Sequence, residues 1–399
     1  MNQILQFSDL MYEIGKWAGV IGFSLLSFLI FSGDTARYWD KYLGLDRIIK
    51  FQRKFSYFVA TFVILHPLFF IISKKTVLDF IIPNFSYLPL ALGIISFYVF
   101  IAVMISSSIY KRISYSKWQY IHVITYLLYF AALYHAINWG SDADDLMPLY
   151  IVITIFVIIG TIYRTIYKIK KLNSGKFTIS EVKMETHDSF TISIKSEKPF
   201  NFAAGQFCFL RLNKNSLHAR HPFTISSAPG EEILKFTIKQ AGRFTETAKN
   251  LTAGEEILID GPFGKFIPKT EKNLVFIAGG VGITPFMSII KDHINKNSNQ
   301  KIILIYGSRT EQDIIFKNEI DSVNKEWFNK VYVLSNENQD SAQYERGYLT
   351  KEIMTKYVKD ISSSLYYICG PEIMKTGAKK ILAELGVENK NVFVENFFW

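Results

Sequence analysis

Two histidines, His122 and His135, stand thirteen residues apart in an uncharged stretch, Trp118–Gly140. That stretch is long enough to cross a bilayer as one helix. Thirteen residues is between three and four helical turns, so at about 1.5 Å rise each the imidazoles fall on nearly one face, roughly 19 Å apart. A third histidine, His66, lies in a neighbouring apolar stretch. Ionisable side chains inside a membrane are costly and usually functional, although a single one can be a hydrogen-bonded packing residue. Proton relays use carboxylates, which these stretches lack. Neutral imidazole is a common axial ligand of haem iron, and this spacing matches two stacked haems.

The apolar residues that would position these histidines are dense before about residue 170 and interspersed with charge after it. Uncharged windows at Trp17–Gly33, Phe55–Ser73, Tyr87–Tyr110, Trp118–Gly140 and Met147–Tyr163 predict five membrane helices. Residues 1–16 carry Asp9, Glu13 and Lys16 without the basic start and cleavage site of a signal peptide, and predict an interfacial helix or a sixth span. Lys and Arg gather in the loops around Arg37–Lys54, Lys111–Lys117 and Arg164–Lys171, all on one side, whereas the other side holds Lys74, Lys75, Asp142, Asp144 and Asp145. The basic side should be cytoplasmic, which makes the chain an integral protein of the cell membrane with everything after residue 170 in the cytoplasm. Much of the net charge of +10 lies in these loops, with no basic stripe interleaved with aromatics, so nucleic acid is not expected as a partner. Cys208 and Cys369 stand alone, which argues against a disulfide framework or a thiolate metal site.

Behind the membrane part, residues 176–268 read as short alternating runs such as Phe190–Ile194, Gln206–Arg211 and Leu234–Gln240, broken by Gly, Pro, Asn and Asp. They predict a small antiparallel barrel. Within it lie His221-Pro222-Phe223-Thr224-Ile225-Ser226-Ser227-Ala228-Pro229 and, downstream, Gly242-Arg243-Phe244-Thr245 before a helical pattern, Glu246–Leu251. Backbone N–H groups and the Thr245 hydroxyl could hold a pyrophosphate at that helix start. Residues 273–399 alternate apolar strands (Leu274–Ile277, Ile302–Tyr306, Val331–Leu334, Leu365–Ile368) with helical stretches, which predicts a doubly wound parallel sheet. Its first strand runs into Gly279-Gly280-Val281-Gly282-Ile283-Thr284-Pro285, where glycines let backbone approach a second pyrophosphate.

The segment from Leu45-Asp46-Arg47 to His66, the Trp118, His122 and His135 helix, and these soluble motifs resemble the transmembrane NADPH oxidase and ferric reductase superfamily over nearly the whole chain. The resemblance implies a transmembrane haem-binding domain (1–171), an FAD-binding β-barrel (172–268) and an NADPH-binding α/β domain (269–399). It implies one or two b-type haems: His66 and His135 ligate the outer one, and His122 the inner. The second inner ligand is expected fourteen residues before His66, where Gln52 stands. A haem on His122 alone, an unexpected ligand, or a flavin reaching into the space of a missing inner haem are the three outcomes.

On the same resemblance, FAD is bound by His221, Pro222, Phe223, Thr224 and Ser227, with Phe223 against the ring, Thr224 near its N5 and His221, with Arg220, on the pyrophosphate. Gly242, Phe244 and Thr245 complete that site. NADPH is bound by Gly279, Gly280, Gly282, Thr284 and Pro285, by Ser308 and Arg309 on a ribose 2′-phosphate, and by Cys369, Gly370 and Pro371 beside the nicotinamide. Cys369 is a positioning residue, since no base lies near it in sequence. The end, Glu395-Asn396-Phe397-Phe398-Trp399, resembles the family's acid-x-aromatic terminus, with Phe397 covering the flavin or simply buried.

The reaction implied is hydride transfer from NADPH to FAD, passage of single electrons through haem, and reduction of dioxygen to superoxide on the far side. Two other outcomes stay open. Ferric iron is the acceptor if Asp142, Asp144 and Asp145 gather it, unless they are an ordinary acidic loop. The alternative is a relay delivering electrons to an extracytoplasmic protein. Membrane lipid is the surrounding partner, and no protein partner is required.

Overall fold

The computed structural model describes residues 2–109, 112, 115–172, 175–212, 220–337 and 344–395. They fall into two compact units, one of Met1–Trp39 and Arg47–Leu172, the other of Asp40–Asp46 and Asn173–Trp399.

The first unit is helical, built from α1 (Asn2–Asp34), α2 (Ala36–Leu43), α3 (Leu45–Lys74), α4 (Leu78–Ile81), α5 (Leu88–Ser108), α6 (Tyr115–Val123), α7 (Thr125–Trp139) and α8 (Ala143–Leu172), except that Asp40–Asp46, the end of α2 and the start of α3, belong to the second unit. Five segments are long and apolar enough to cross a membrane: Gln6–Asp34, Leu45–Lys74, Phe85–Ser108, Lys117–Trp139 and Ala143–Lys171. Residues 2–16 form neither a separate interfacial helix nor a sixth span; they are the first turns of α1. No helix breaker separates them from Trp17, and Lys16 is neutralised by Glu13 at 2.6 Å and Asp142 at 2.7 Å.

The stretch expected as one helix from Trp118 to Gly140 is two, α6 and α7, joined at Ile124. The joint is shallow, because Ile124 keeps right-handed helical angles (φ −59°, ψ −19°) and its carbonyl accepts from Leu128 N at 3.0 Å. Pro67 sits inside α3 without ending it.

Helix α1 packs along α8, and α5 along α7. Large side chains fill the gaps: Phe23 stacks on the fully buried Tyr129 at 5.0 Å, and Leu26, Val59, Phe100 and Leu128 form a second cluster. Leu127, Phe130, Ile151 and Phe156 point outward and exposed, as hydrocarbon surroundings favour. One charged group is buried at the end of α1. Asp34 accepts from Tyr126 Oη at 2.6 Å, from Arg164 Nη1 at 3.0 Å and from Thr161 Oγ1 at 3.2 Å, so the carboxylate is fully paired.

The second unit opens with β1 (Phe177–Met184), β2 (Ser189–Ser196), β3 (Phe207–Arg211), β4 (His221–Thr224), β5 (Ile233–Lys239), α9 (Arg243–Lys249) and β6 (Leu258–Phe263). They form two antiparallel three-stranded sheets, β1-β2-β5 and β4-β3-β6, around a core that includes Phe190, Ile192, Leu210 and Phe236. Next come β7 (Leu274–Gly279), α10 (Thr284–Asn295), β8 (Ile302–Ser308), α11 (Lys317–Ser322), β9 (Phe328–Leu334), β10 (Tyr344–Arg346), α12 (Lys351–Tyr357), β11 (Leu365–Cys369), α13 (Glu372–Glu384) and β12 (Val392–Val394). The six strands make one parallel sheet in the order β10-β9-β8-β7-β11-β12. Along β7, Leu274, Phe276 and Ala278 enter one core while Val275 and Ile277 enter the other, as a sheet covered on both faces requires. The order reverses at β7, where β8 lies on one side and β11 on the other. Ligands of such sheets bind at that switch, outside the carboxyl ends of the strands.

Candidate functional site

His66 on α3 and His135 on α7 meet inside the first unit, their ring centroids 6.2 Å apart and the ring planes at 78°. His66 Nδ1 lies 2.8 Å from Gly15 O, and His135 Nδ1 lies 2.9 Å from Pro89 O. A carbonyl only accepts, so both Nδ1 atoms carry the proton and both Nε2 atoms keep a free lone pair. Bonds of about 2 Å from one metal to two imidazoles, with about 1 Å from each nitrogen to its ring centre, place ligand rings about 6 Å apart. The pair fits. Among the described residues no group of three or more His, Cys, Asp or Glu could hold a metal ion.

Glycines make room for both rings. A Cβ on Gly93 of α5 would lie 2.6 Å from His135 Nδ1, and one on Gly19 of α1 would collide with His66 Nδ1. These glycines were not singled out in the sequence. The available signal is that Gly19 and Gly33 share the fourteen-residue spacing of His66 and Gln52. Gly33 does lie by Gln52, whose Nε2 would be 3.6 Å from its Cβ.

At this second level the residues fit a haem less well. His122 stacks on Trp118, four residues earlier on α6, at 4.7 Å and 26°, which gives it a packing contact. Gln52 Nε2 donates to Ser32 Oγ at 3.3 Å.

In the second unit, antiparallel pairing sets His221 opposite Leu210 and Thr224 opposite Phe207. The two sequence motifs come together here through rings: His221 stacks on Phe244 at 4.1 Å, and Phe223 lies 5.7 Å from Phe244. Burial pushes the His221 imidazole below its ordinary value, so it is a neutral donor at pH 7. His221, Pro222 and Phe223 stay partly exposed, whereas Thr224 and Ser227 are buried. Ser227 accepts Lys235 N at 3.1 Å, and its carbonyl accepts from Ser288 Oγ at 2.7 Å. The Thr245 hydroxyl, expected to face a phosphate, is held by its own turn: it accepts from Ala241 N and donates to Gly242 O, both at 2.8 Å. Gly242 itself has φ +114° with open space beside it. Arg220 lies over Phe209 at 5.0 Å and reaches Asp260 at 3.5 Å.

The glycine loop after β7 turns through a 3-10 segment, Gly280–Ile283, into α10. Its glycines serve two ends. Gly279 faces Pro371 and Met374, and Gly282 faces the Cys369 carbonyl and Gly370 N, so both permit close packing of the β7 and β11 loops. Gly280, at φ +52° with nothing within 4 Å, is the one that leaves backbone open. Thr284 Oγ1 donates to Val281 O at 3.0 Å, and Pro285 occupies the first turn of α10. Cys369 is fully enclosed and burial pushes its thiol well above the usual range, so it is no nucleophile at neutral pH.

Ser308 Oγ donates to Asp313 O at 3.1 Å, and Arg309 Nη2 lies 3.2 Å from both Asp188 and Asp313. Phe397 lies outside the described residues. Glu395 N donates to Ile368 O at 2.9 Å, and Lys375 Nζ reaches Glu395 O at 3.3 Å. The Glu395 residue is only partly covered, yet its carboxyl is deep: burial, with Asp46 and Asp40, pushes it up to about 8 against the pull of Lys375.

A further group went unread in the sequence. Asp40, on α2 in the short Asp40–Asp46 segment of the second unit, accepts Leu45 N at 2.6 Å and Gly264 N at 3.1 Å. Lys265 Nζ donates to Tyr42 O at 2.6 Å.

The chain matches three families in succession: Ferric reductase like transmembrane component over residues 18–133, FAD-binding domain over 174–267, and Oxidoreductase NAD-binding domain over 276–380. An apolar helical part ahead of a flavin barrel and a nucleotide-binding sheet defines a membrane-bound flavin oxidoreductase. It belongs to the ferric reductase and NADPH oxidase-like superfamily. Curated relatives include one subunit of the Na(+)-translocating NADH-quinone reductase of Haemophilus influenzae, 30% identical over 206 residues, 47% of this chain and 50% of the relative. The corresponding protein of Pseudomonas aeruginosa is 30% identical over 194 residues, 44% of this chain and 48% of the relative. The chain thus spans about half the length of the curated relatives it matches. Among solved structures, the flavohem-like FAD/NAD binding domain of nitric oxide dioxygenase from Vibrio cholerae has a TM-score of 0.51 at 17% identity. The match covers 56% of this chain and 99% of that one, and shows the fold of the soluble part.

Proposed function

We propose that this protein carries electrons from a nicotinamide nucleotide through FAD and b-type haem to an acceptor across the membrane, dioxygen being reduced there to superoxide. The observation that carries the reading is the His66–His135 pair, with both Nδ1 protons donated to carbonyls and the rings at the separation two axial ligands need. The sidedness of Lys and Arg supports a cytoplasmic location for the soluble part. When bound, FAD takes a hydride and gives up electrons singly, and haem passes single electrons.

The chain's own residues bind and orient. His66 and His135 would hold one haem; His122 would be the lone ligand of a second, and its stack on Trp118 with Gln52 opposite Gly33 favours a single haem. His221, Pro222 and Phe223, partly exposed on β4, would receive the flavin, with Phe397 covering it. The loop at Gly280 and the start of α10 would receive the nucleotide, and Cys369 would position the nicotinamide. Ser308 and Arg309 support NADPH by residue type; the Ser308 hydroxyl is taken by the Asp313 backbone carbonyl, and the two acids that engage Arg309 weigh toward NADH.

A relay reading has one observation of its own: curated relatives that match somewhat under half of the chain are named as subunits of an NADH-quinone reductase. Against ferric iron stands the pairing of Asp142 with Lys16, which takes one of three loop carboxylates out of a cation site. The test is the purified chain in detergent: haem and flavin per chain, haem reduction by nucleotide without oxygen, then superoxide formation on admitting air. One reduced haem and superoxide support the proposal. Reduced haem without superoxide supports the relay, and absence of haem overturns both.

A further inference from the structure

We propose that Asp188 and Asp313, by engaging Arg309, set the choice of nicotinamide nucleotide and make the chain select NADH against NADPH. The inference rests on the electron-donor reading above and assigns its donor.

In a doubly wound sheet the adenine ribose is read just past the second strand: an acid there accepts from the 2′-hydroxyl of NADH, or an arginine takes the 2′-phosphate of NADPH. The second strand here is β8, and directly after it stand Arg309 and Asp313. An arginine in that position, read by type alone, indicates phosphate. Its surroundings do not. Arg309 Nη2 lies 3.2 Å from Asp313 Oδ1 and 3.2 Å from Asp188 Oδ2, with His187 Nε2 at 3.3 Å.

Neither acid is free to turn away. Asp313 Oδ2 accepts Thr310 N at 3.2 Å and Thr310 Oγ1 at 3.0 Å. Asp188, from the turn between β1 and β2 of the flavin barrel, accepts Lys239 Nζ at 3.0 Å, Ser189 Oγ at 3.0 Å and Thr186 Oγ1 at 3.1 Å. Asp188 and Asp313 meet Arg309 and Lys239, with the His187 ring 3.2 Å from Asp313 and 3.7 Å from Asp188, so both acids are engaged before any ligand arrives. A 2′-phosphate would add roughly two negative charges beside fixed acids, where Arg309 is already engaged by both Asp188 and Asp313. A 2′-hydroxyl adds no charge and can donate to a carboxylate. The rim is acidic beyond this group as well: Glu337 accepts Glu311 N at 3.2 Å.

Sequence-local reasoning could not reach this, because Asp188 lies 121 residues from Arg309.

The test uses the full chain in detergent and follows flavin reduction without oxygen at varied NADH and NADPH. Wild type is expected to show a kcat/KM at least about tenfold higher for NADH. Asp188→Asn, which removes one acid and keeps its shape, is expected to shift the NADPH to NADH ratio toward NADPH by about tenfold. Arg309→Ala is expected to leave that ratio within about threefold. A wild-type preference for NADPH, or a selective loss of NADPH turnover in Arg309→Ala, overturns the proposal. Failure of both nucleotides to reduce the flavin overturns the donor reading itself, a result distinct from a reversed preference.

Discussion

His66 and His135 face one another at 6.2 Å between ring centroids, each with its Nδ1 proton donated to a carbonyl of a different helix, Gly15 on α1 and Pro89 on α5. Four helices thus converge on one pair of imidazoles. Replacing either histidine should therefore remove haem, not merely loosen it. His66→Ala and His135→Ala are each expected to lose the Soret band of the outer haem, whereas His122→Ala should keep it. Haem per chain of each purified variant, measured after denaturation, checks this. Full retention of haem in His135→Ala would place the haem elsewhere.

The glycines beneath the rings make a finer prediction. Gly93→Ala puts a methyl 2.6 Å from His135 Nδ1, closer than real carbon contacts allow, so the ring must move off the Pro89 carbonyl. The variant should fold, since Ala favours helix over Gly by about 1 kcal/mol. Its haem is expected to lose low-spin character as the axial bond weakens. An unchanged optical spectrum would show that the site has slack which the structure does not contain.

Asp34 supplies a test of the helical unit. Asp34→Ala strands Arg164 and Tyr126 without their acceptor, and breaking a buried pair from one side typically costs about 3–5 kcal/mol. Thr161→Ala removes only a hydroxyl contact and should cost about 1 kcal/mol. Thermal unfolding in detergent should rank them in that order.

Acid should loosen the flavin site through His221. Burial holds its folded value below the ordinary 6.5, so as pH falls through 6.5 the unfolded state takes up the proton first. The stability contributed by neutral His221 is present above pH 6.5 and is lost as pH falls through the lower, folded value. The melting temperature of wild type should drop between about pH 7.5 and about pH 5.5 more steeply than that of His221→Phe. Parallel curves would show that other groups carry the acid sensitivity.

The elements of this fold were legible where a run of residues carries its own signal. Five apolar stretches are long enough to cross a membrane as helices, and β7, β8, β9 and β11 are apolar runs between turn residues. What escaped were features defined by partners. Strands β10 and β12 are three residues each, too short to show a period, and exist because β9 and β11 offer them an edge. Gly19 is an ordinary helix glycine until His66, far along the chain on α3, lies on it. Arg309 is a similar case: residue type suggests phosphate, and the contact with Asp188, from the turn between β1 and β2, is visible only in the fold.

The Asp40 contact alters what it means to divide this molecule. Residues 40–46 are flanked on both sides by the helical unit, yet Asp40 closes the turn at Gly264, which ends the flavin barrel. A fragment starting at residue 175 would keep every flavin and nucleotide motif and still leave the Gly264 amide without its carboxylate. A buried donor left unpaired costs about 1–3 kcal/mol. The second unit therefore includes a segment from outside the run 175–399. Part of its own fabric is woven from a stretch that ribosomal synthesis delivers more than two hundred residues earlier, so the barrel is completed by chain already made before its last strand emerges.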